Sequence, residues 1–128
     1  MRKLVYLFLI IIGMASCANP TPEELASLAA KGYYEHLAAG QYDEYLQGVS
    51  GVEEAPDDYR QQLRKAAEQY LKDNQRLHRG INEVRVSSVK TDSTLHCTQV
   101  FLLLCFGDST MEEICVPMVE QNGRWKMR

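Results

Sequence analysis

Two rhythms of apolar residues divide the chain. Between Leu25 and Leu77 apolar positions recur about every 3.6 residues, and from Ile81 onward they alternate. The first rhythm predicts helices. Thr21-Pro22-Glu23-Glu24 is a strong start signal, with Thr21 able to cap, Pro22 suited to the first helical position and Glu24 completing a Thr-x-x-Glu capping box. On a helical wheel Leu25, Leu28, Ala29, Gly32, Tyr33, His36 and Leu37 fall on one side, expected to face the core, with Glu23, Ser27, Lys31 and Tyr34 opposite. Gly40 can end this helix in the left-handed conformation. Tyr42 to Leu46 predicts a short second helix, and Gly48-Val49-Ser50-Gly51 a break. Pro56-Asp57-Asp58 opens a third helix of about six turns, its acids at the positive end of the dipole. Its expected inward stripe is Tyr59, Leu63, Ala66, Tyr70, Asn74 and Leu77, and Gly80 supplies the stop.

The second rhythm predicts strands over 81–90, 94–106, 111–120 and 124–128, joined by turns at Thr91-Asp92-Ser93, Gly107-Asp108-Ser109-Thr110 and Asn122-Gly123. Helices followed by an antiparallel meander give an α+β domain with helices on one face of a four-stranded sheet. Setting Phe106 opposite Met111, and Gln121 opposite Arg124, places Phe101, Leu103, Cys105, Ile114, Val116, Met118, Trp125 and Met127 on one face, expected to meet the helices. The other face would carry Thr98, Val100, Leu102, Leu104, Phe106, Met111, Cys115 and Val119 beside Arg124, Lys126 and Arg128. Because Phe101-Leu102-Leu103-Leu104-Cys105-Phe106 is apolar on both sides, a second cover is expected there, from a homodimer or another protein partner.

Ahead of these elements Met1-Arg2-Lys3 is a cationic start, Leu4 to Ile12 an unbroken apolar run, and Gly13-Met14-Ala15-Ser16 a stretch of mostly small residues before Cys17. That is the pattern of a signal peptide over 1–16. Nine helical residues reach about 14 Å, short of a hydrocarbon core of about 30 Å, so the segment is not expected to span a membrane. Small residues before a cysteine resemble the bacterial lipobox, with Met14 standing where leucine is usual. Cys17 is then the expected site of diacylation with palmitate-type chains and of cleavage, 17–20 a lipidated tether, and 21–128 the domain. The chains would hold the protein on its membrane, since each buried methylene contributes about 0.8 kcal/mol. The expected location is the envelope of a Gram-negative bacterium, at the outer membrane.

After position 16 there are 17 acids against twelve Lys and Arg, so no basic footprint for nucleic acid exists. Charge is also segregated: Thr21 to Asp58 holds nine acids and one base, the rest eight acids and eleven bases. Three cysteines remain after Cys17. In the expected register Cys115 faces away from Cys105, and Cys97 lies about 26 Å along its strand from Cys105, so no intramolecular disulfide is expected. Neither C-x-x-C nor H-x-x-x-H occurs, and His96 and Cys97 alternate to opposite faces, so neither a metal site nor a cofactor is expected.

With these elements assigned, the chain resembles bacterial lipoproteins of the lumazine-binding-like domain-of-unknown-function family, in the nuclear-transport-factor-2-like (NTF2-like, cystatin-like) superfamily. The residues that carry it are Thr21-Pro22-Glu23-Glu24, Tyr33-Tyr34-Glu35, Leu37, Gly40-Gln41-Tyr42, Gly80-Ile81, Phe106-Gly107-Asp108-Ser109-Thr110, Val116-Pro117-Met118-Val119 and Asn122-Gly123-Arg124-Trp125-Lys126. His36, where a small apolar residue would be expected, and the cysteine-rich sheet depart from the pattern. The resemblance implies a curved sheet folded around a long helix, a cone with an apolar mouth, and no established activity. Within such a cone His36, with Tyr33, Tyr70 and Trp125 around it, is the candidate lining of a pocket for a small apolar ligand. An isomerase- or dehydratase-like enzyme using His36 is the alternative. It lacks a second acid or base in reach, since Glu35 points away and Asp43 lies beyond the helix end, so no catalytic residues are assigned. A lipoprotein with a filled cone and a purely structural role is the third reading.

Overall fold

The computed structural model describes residues 19–128; the expected export segment and Cys17 lie outside the described residues. Helices α1 (Pro22–Ala38), α2 (Tyr42–Leu46) and α3 (Asp57–His78) precede strands β1 (Ile81–Asp92), β2 (Cys97–Phe106), β3 (Met111–Gln121) and β4 (Arg124–Met127). The strands form one antiparallel sheet in the order β1-β2-β3-β4. This is the α+β meander that the switch of period implies.

Helix α1 begins as its sequence dictates, with the Glu24 N–H donating to Thr21 Oγ1 at 3.1 Å. It lies across the sheet and touches all four strands. Its buried face differs from the expected one. Ala26 and Ala30 are fully buried and Ser27 is buried with its hydroxyl bonded to the Glu23 carbonyl at 2.8 Å, whereas Leu25 and Leu28 are 42% and 63% exposed. The helix is thus rotated so that its smallest side chains meet the strands, which lets the backbone approach closely while the leucines flank the contact. Tyr34, expected outward, packs against the core.

Helix α3 also departs from its expected stripe. Of its 22 residues only Ala67 and Asn74 are buried, and Tyr59 and Leu77 of that stripe are more than half exposed. The helix ends where Arg79 and Gly80 turn left-handed (φ 63° and 86°), with Gly80 N–H donating to the Asn74 carbonyl at 3.0 Å.

Strand register is one residue from the expected one between β2 and β3. Cys105, not Phe106, stands opposite Met111. The cause is the turn: Phe106 N–H donates to the Thr110 carbonyl at 2.9 Å and Ser109 adopts φ 71°, so three residues, Gly107-Asp108-Ser109, make the turn and Thr110, just ahead of β3, faces Phe106. That shift exchanges the faces of β2. Val100, Leu102, Leu104 and Phe106 join Val116, Met118 and Met127 in the core, together with Ala26, Ala30 and Val84. Phe101, Leu103 and Cys105 turn to the outer face instead of the helix side, where Cys115, Glu113 and Met111 are their respective partners. Cys115 therefore shares a face with Cys105, contrary to expectation. All three thiols of the described residues are free, and Met111, the cross-strand partner of Cys105, lies four residues, about 13 Å, from Cys115. The Asn122-Gly123 hairpin keeps its expected register, Gln121 opposite Arg124, with φ 53° and 79° at its two central residues.

The two sheet edges differ. Along β4, Met127 pairs in parallel with Val49, and its amide and carbonyl bond to Gly48 and Ser50. The backbone at Gly48 runs so close to the Tyr33 ring that a Cβ there would lie 2.5 Å from it. Among the described residues the β1 edge has no such neighbour strand, and it carries two register irregularities, at Ile81/Glu83 and Val86/Ser88.

Candidate functional site

Because α3 stands off the sheet along its middle, a cleft of about 380 Å³ opens beside it, walled by α1, α2, α3 and β3. Leu63, Ala66, Ala67 and Tyr70 of α3 form one wall, Tyr34 and Leu37 of α1 with Tyr45 and Leu46 of α2 another. Ile114 and Glu112 complete it from β3. Opposite Leu102 and Leu104, these two residues lie on the helix side of the sheet. A mostly apolar concavity with a few convergent polar groups is the usual form of a small-molecule site.

Three phenols supply most of those polar groups. The rings of Tyr34 and Tyr45 meet edge to face with centroids 5.6 Å apart. Burial pushes the Tyr34 phenol well above the ordinary tyrosine range, and Tyr45 and Tyr70 beside it add to the shift. Burial raises Tyr45 and Tyr70 as well; for Tyr70 the negative charge of Glu112 contributes in the same direction. All three are neutral hydrogen-bonding groups at any physiological pH. Glu112 makes no ion pair among the described residues, whereas Arg64 on the neighbouring turn of α3 is engaged by Asp43 and Glu68.

The four residues expected to line a pocket do not converge. Tyr70 lines the cleft. Tyr33 instead lies flat on Gly48 and donates its hydroxyl to the Trp125 carbonyl at 2.8 Å, tying α1 to β4. Trp125 packs against the core from β4, and His36 reaches the Gln41 side chain, Nδ1 to Oε1 2.6 Å, at the end of α1. The tyrosines that do gather, Tyr34 and Tyr45, have a legible signal only in retrospect: Tyr34 sits at the rotated edge of α1, and the short α2 has too few turns for a wheel to orient.

A second constellation gathers at the end of α3. His78, at the end of α3, stacks on Phe106 (4.5 Å between ring centroids, 19° between planes) and holds Asp108 Oδ2 with Nδ1 at 3.0 Å. Hydrogen bonds from the Thr110 hydroxyl and then from His78 and the Thr110 N–H draw the Asp108 carboxyl down to about 2. Gly80 and His78 carbonyls accept from Gly107 N–H (2.9 Å) and Asp108 N–H (3.0 Å), and a Cβ at Gly107 would lie 2.6 Å from the Arg79 carbonyl oxygen. The aromatic-Gly-Asp-x-Thr turn is therefore a latch for the end of α3. His78 and Asp108 are not among the residues lining the cleft. Another depression, about 420 Å³, is lined mostly by polar and charged residues, among them Glu53, Glu54, Arg124 and Lys126. Among the described residues no group of three metal-ligating side chains converges, and no helix is long and apolar enough to cross a membrane.

No protein-family model and no curated protein matches the sequence. Among solved structures the chain is similar to a crystal structure from Campylobacter jejuni described as a candidate NTF2-like transpeptidase, with a TM-score of 0.62 at 12% identity, over 77% of this chain and 92% of that one. Helices followed by an open four-stranded antiparallel sheet, aligned in this way, identify the fold as NTF2-like.

Proposed function

We propose that the protein is a lipid-anchored binding module of the bacterial envelope that holds a small ligand in the tyrosine-lined cleft between α3 and the sheet. The observation that carries the binding half is the cleft itself: apolar walls, three phenols and one carboxylate gathered from four elements. The anchoring half rests on the sequence alone, on the apolar run before Cys17. The transpeptidase activity named for the Campylobacter jejuni structure is not carried over. Acyl transfer of that kind needs an activated nucleophile, and the cleft lining includes no serine, threonine or cysteine. The isomerase-like alternative is weakened in the same way, because His36 lies with Gln41. A docking role for the outer sheet face stands beside the first reading, favoured by the partly exposed Phe101, Leu103 and Cys105 with the exposed Met111 and Cys115.

Native mass spectrometry of the protein extracted from its own membranes tests both halves. A bound small molecule that is lost in Ala66→Trp, which fills the cleft from α3, supports the ligand reading; a ligand retained by that variant overturns it. The intact mass of the processed chain is expected to show acyl chains on Cys17, and a bare thiol would remove the anchor.

A further inference from the structure

We infer that the cleft selects an amphipathic organic cation, an ammonium group on an apolar body. This deepens the proposed binding role and rests on it. Glu112 is the one carboxylate lining the cleft, it comes from the helix side of β3, and it has no cationic partner among the described residues. Arg64 of α3 does not line the cleft; it is held by Asp43 and Glu68 and stands over the Tyr42 ring at 5.7 Å. Tyr70 feels the Glu112 charge directly. The aromatic faces of Tyr34, Tyr45 and Tyr70 carry the negative quadrupole that attracts cations, and none of their hydroxyls ionises to add or remove a charge near neutrality. Two of the walls, α1 and α2, also belong to the segment that holds nine acids and one base. An anion entering here would meet a carboxylate and phenol rings, with no cationic side chain in the lining among the described residues. A neutral apolar ligand would use the walls alone and draw nothing from the Glu112 charge, which stays hydrated at the mouth of the cleft. An ammonium on a hydrocarbon body uses both.

Titration of the purified full-length protein in detergent with benzyltrimethylammonium, its uncharged isostere neopentylbenzene and the anion phenylacetate provides the test, followed by tyrosine ring signals in NMR spectra. Benzyltrimethylammonium is expected to bind best and to shift Tyr34, Tyr45 and Tyr70. Glu112→Gln is expected to weaken it about three- to fivefold while leaving neopentylbenzene unchanged. Glu112→Lys should abolish the preference for the cation. Position 112 is exposed, so neither variant threatens the fold. Equal binding of cation and isostere, or of cation by wild type and Glu112→Gln, overturns the charge selection and leaves the cleft as a binding site. Binding of none of the three, with no change on Ala66→Trp, overturns both readings.

Discussion

Helices α1 and α3 both carry apolar positions at helical spacing, those of α3 set among far more polar residues, and they meet opposite fates. The shorter α1 is seated on the sheet through Ala26 and Ala30, fully buried, with Leu37 at its end 1% exposed. The longer α3 buries only Ala67 and Asn74 and is held at points: Arg64 to Asp43 of α2, and His78 with the last carbonyls to the Gly107-Asp108 turn. An amphipathic stripe therefore does not by itself say how deeply a helix is buried. Small side chains let α1 close on the strands. The larger ones of α3, fixed at the latch, stand away and leave a cleft.

The largest break in this contrast is expected on the sheet beneath α1. Leu102 is fully buried, so Leu102→Ala should cost about 2–5 kcal/mol in denaturant unfolding. Next, Gly48→Ala drives a methyl into the Tyr33 ring and should cost about 1–3 kcal/mol, with loss of the hydroxyl contact to Trp125 visible as faster exchange of the β4 amides. At the other extreme Leu77→Ala, on the exposed side of α3, is expected to stay within about 0.5 kcal/mol of the parent.

Two titrations sharpen the comparison further. The Asp108 carboxyl is drawn down to about 2, below its ordinary value of 3.8, so its contribution is complete above about pH 5 and is lost progressively as pH falls toward 2. The urea midpoint should decline over that range, and Asp108→Asn should flatten the decline while raising hydrogen exchange at the end of α3. At the alkaline end, ultraviolet difference absorbance should show Tyr33, Tyr34, Tyr45 and Tyr70 ionising above the ordinary phenol range, with Tyr34 the most resistant. Because raised phenols favour the protonated folded state, stability should fall as pH rises past 10. Ionisation of these four tyrosines within the ordinary phenol range would contradict the packing around them.

Local signals in the sequence carried far. Thr21, Pro22 and Glu24 start α1 as expected, Gly80 stops α3, and Asn122-Gly123 sets both the turn and the register of the last hairpin, because each acts through its own backbone. Faces were less legible. Whether Thr110 or Met111 stands opposite Phe106 depends on Ser109 accepting a positive φ, which no alternation of Phe101 to Phe106 reveals when both sets of residues are apolar. Likewise the wheel of α1 favours Leu25 and Leu28 on hydrophobicity, while the sheet selects Ala26 and Ala30 on size. The candidate site suffered from the same cause: of Tyr33, His36, Tyr70 and Trp125 only Tyr70 reaches the cleft, since placing the others required knowing how α1 is rotated.

The unequal treatment of the sheet margins bears on how copies of the chain could join. Docking of Val49 alongside Met127 occupies the groups that a foreign strand would need on that flank. Recruitment of an extended peptide is thus restricted to the first strand, where the offset near Ser87 interrupts the hydrogen-bonding template and Glu83, Arg85 and Lys90 place charge along it. Fibrillar growth by repeated edge pairing needs two receptive sides, and the described residues present one, already blunted.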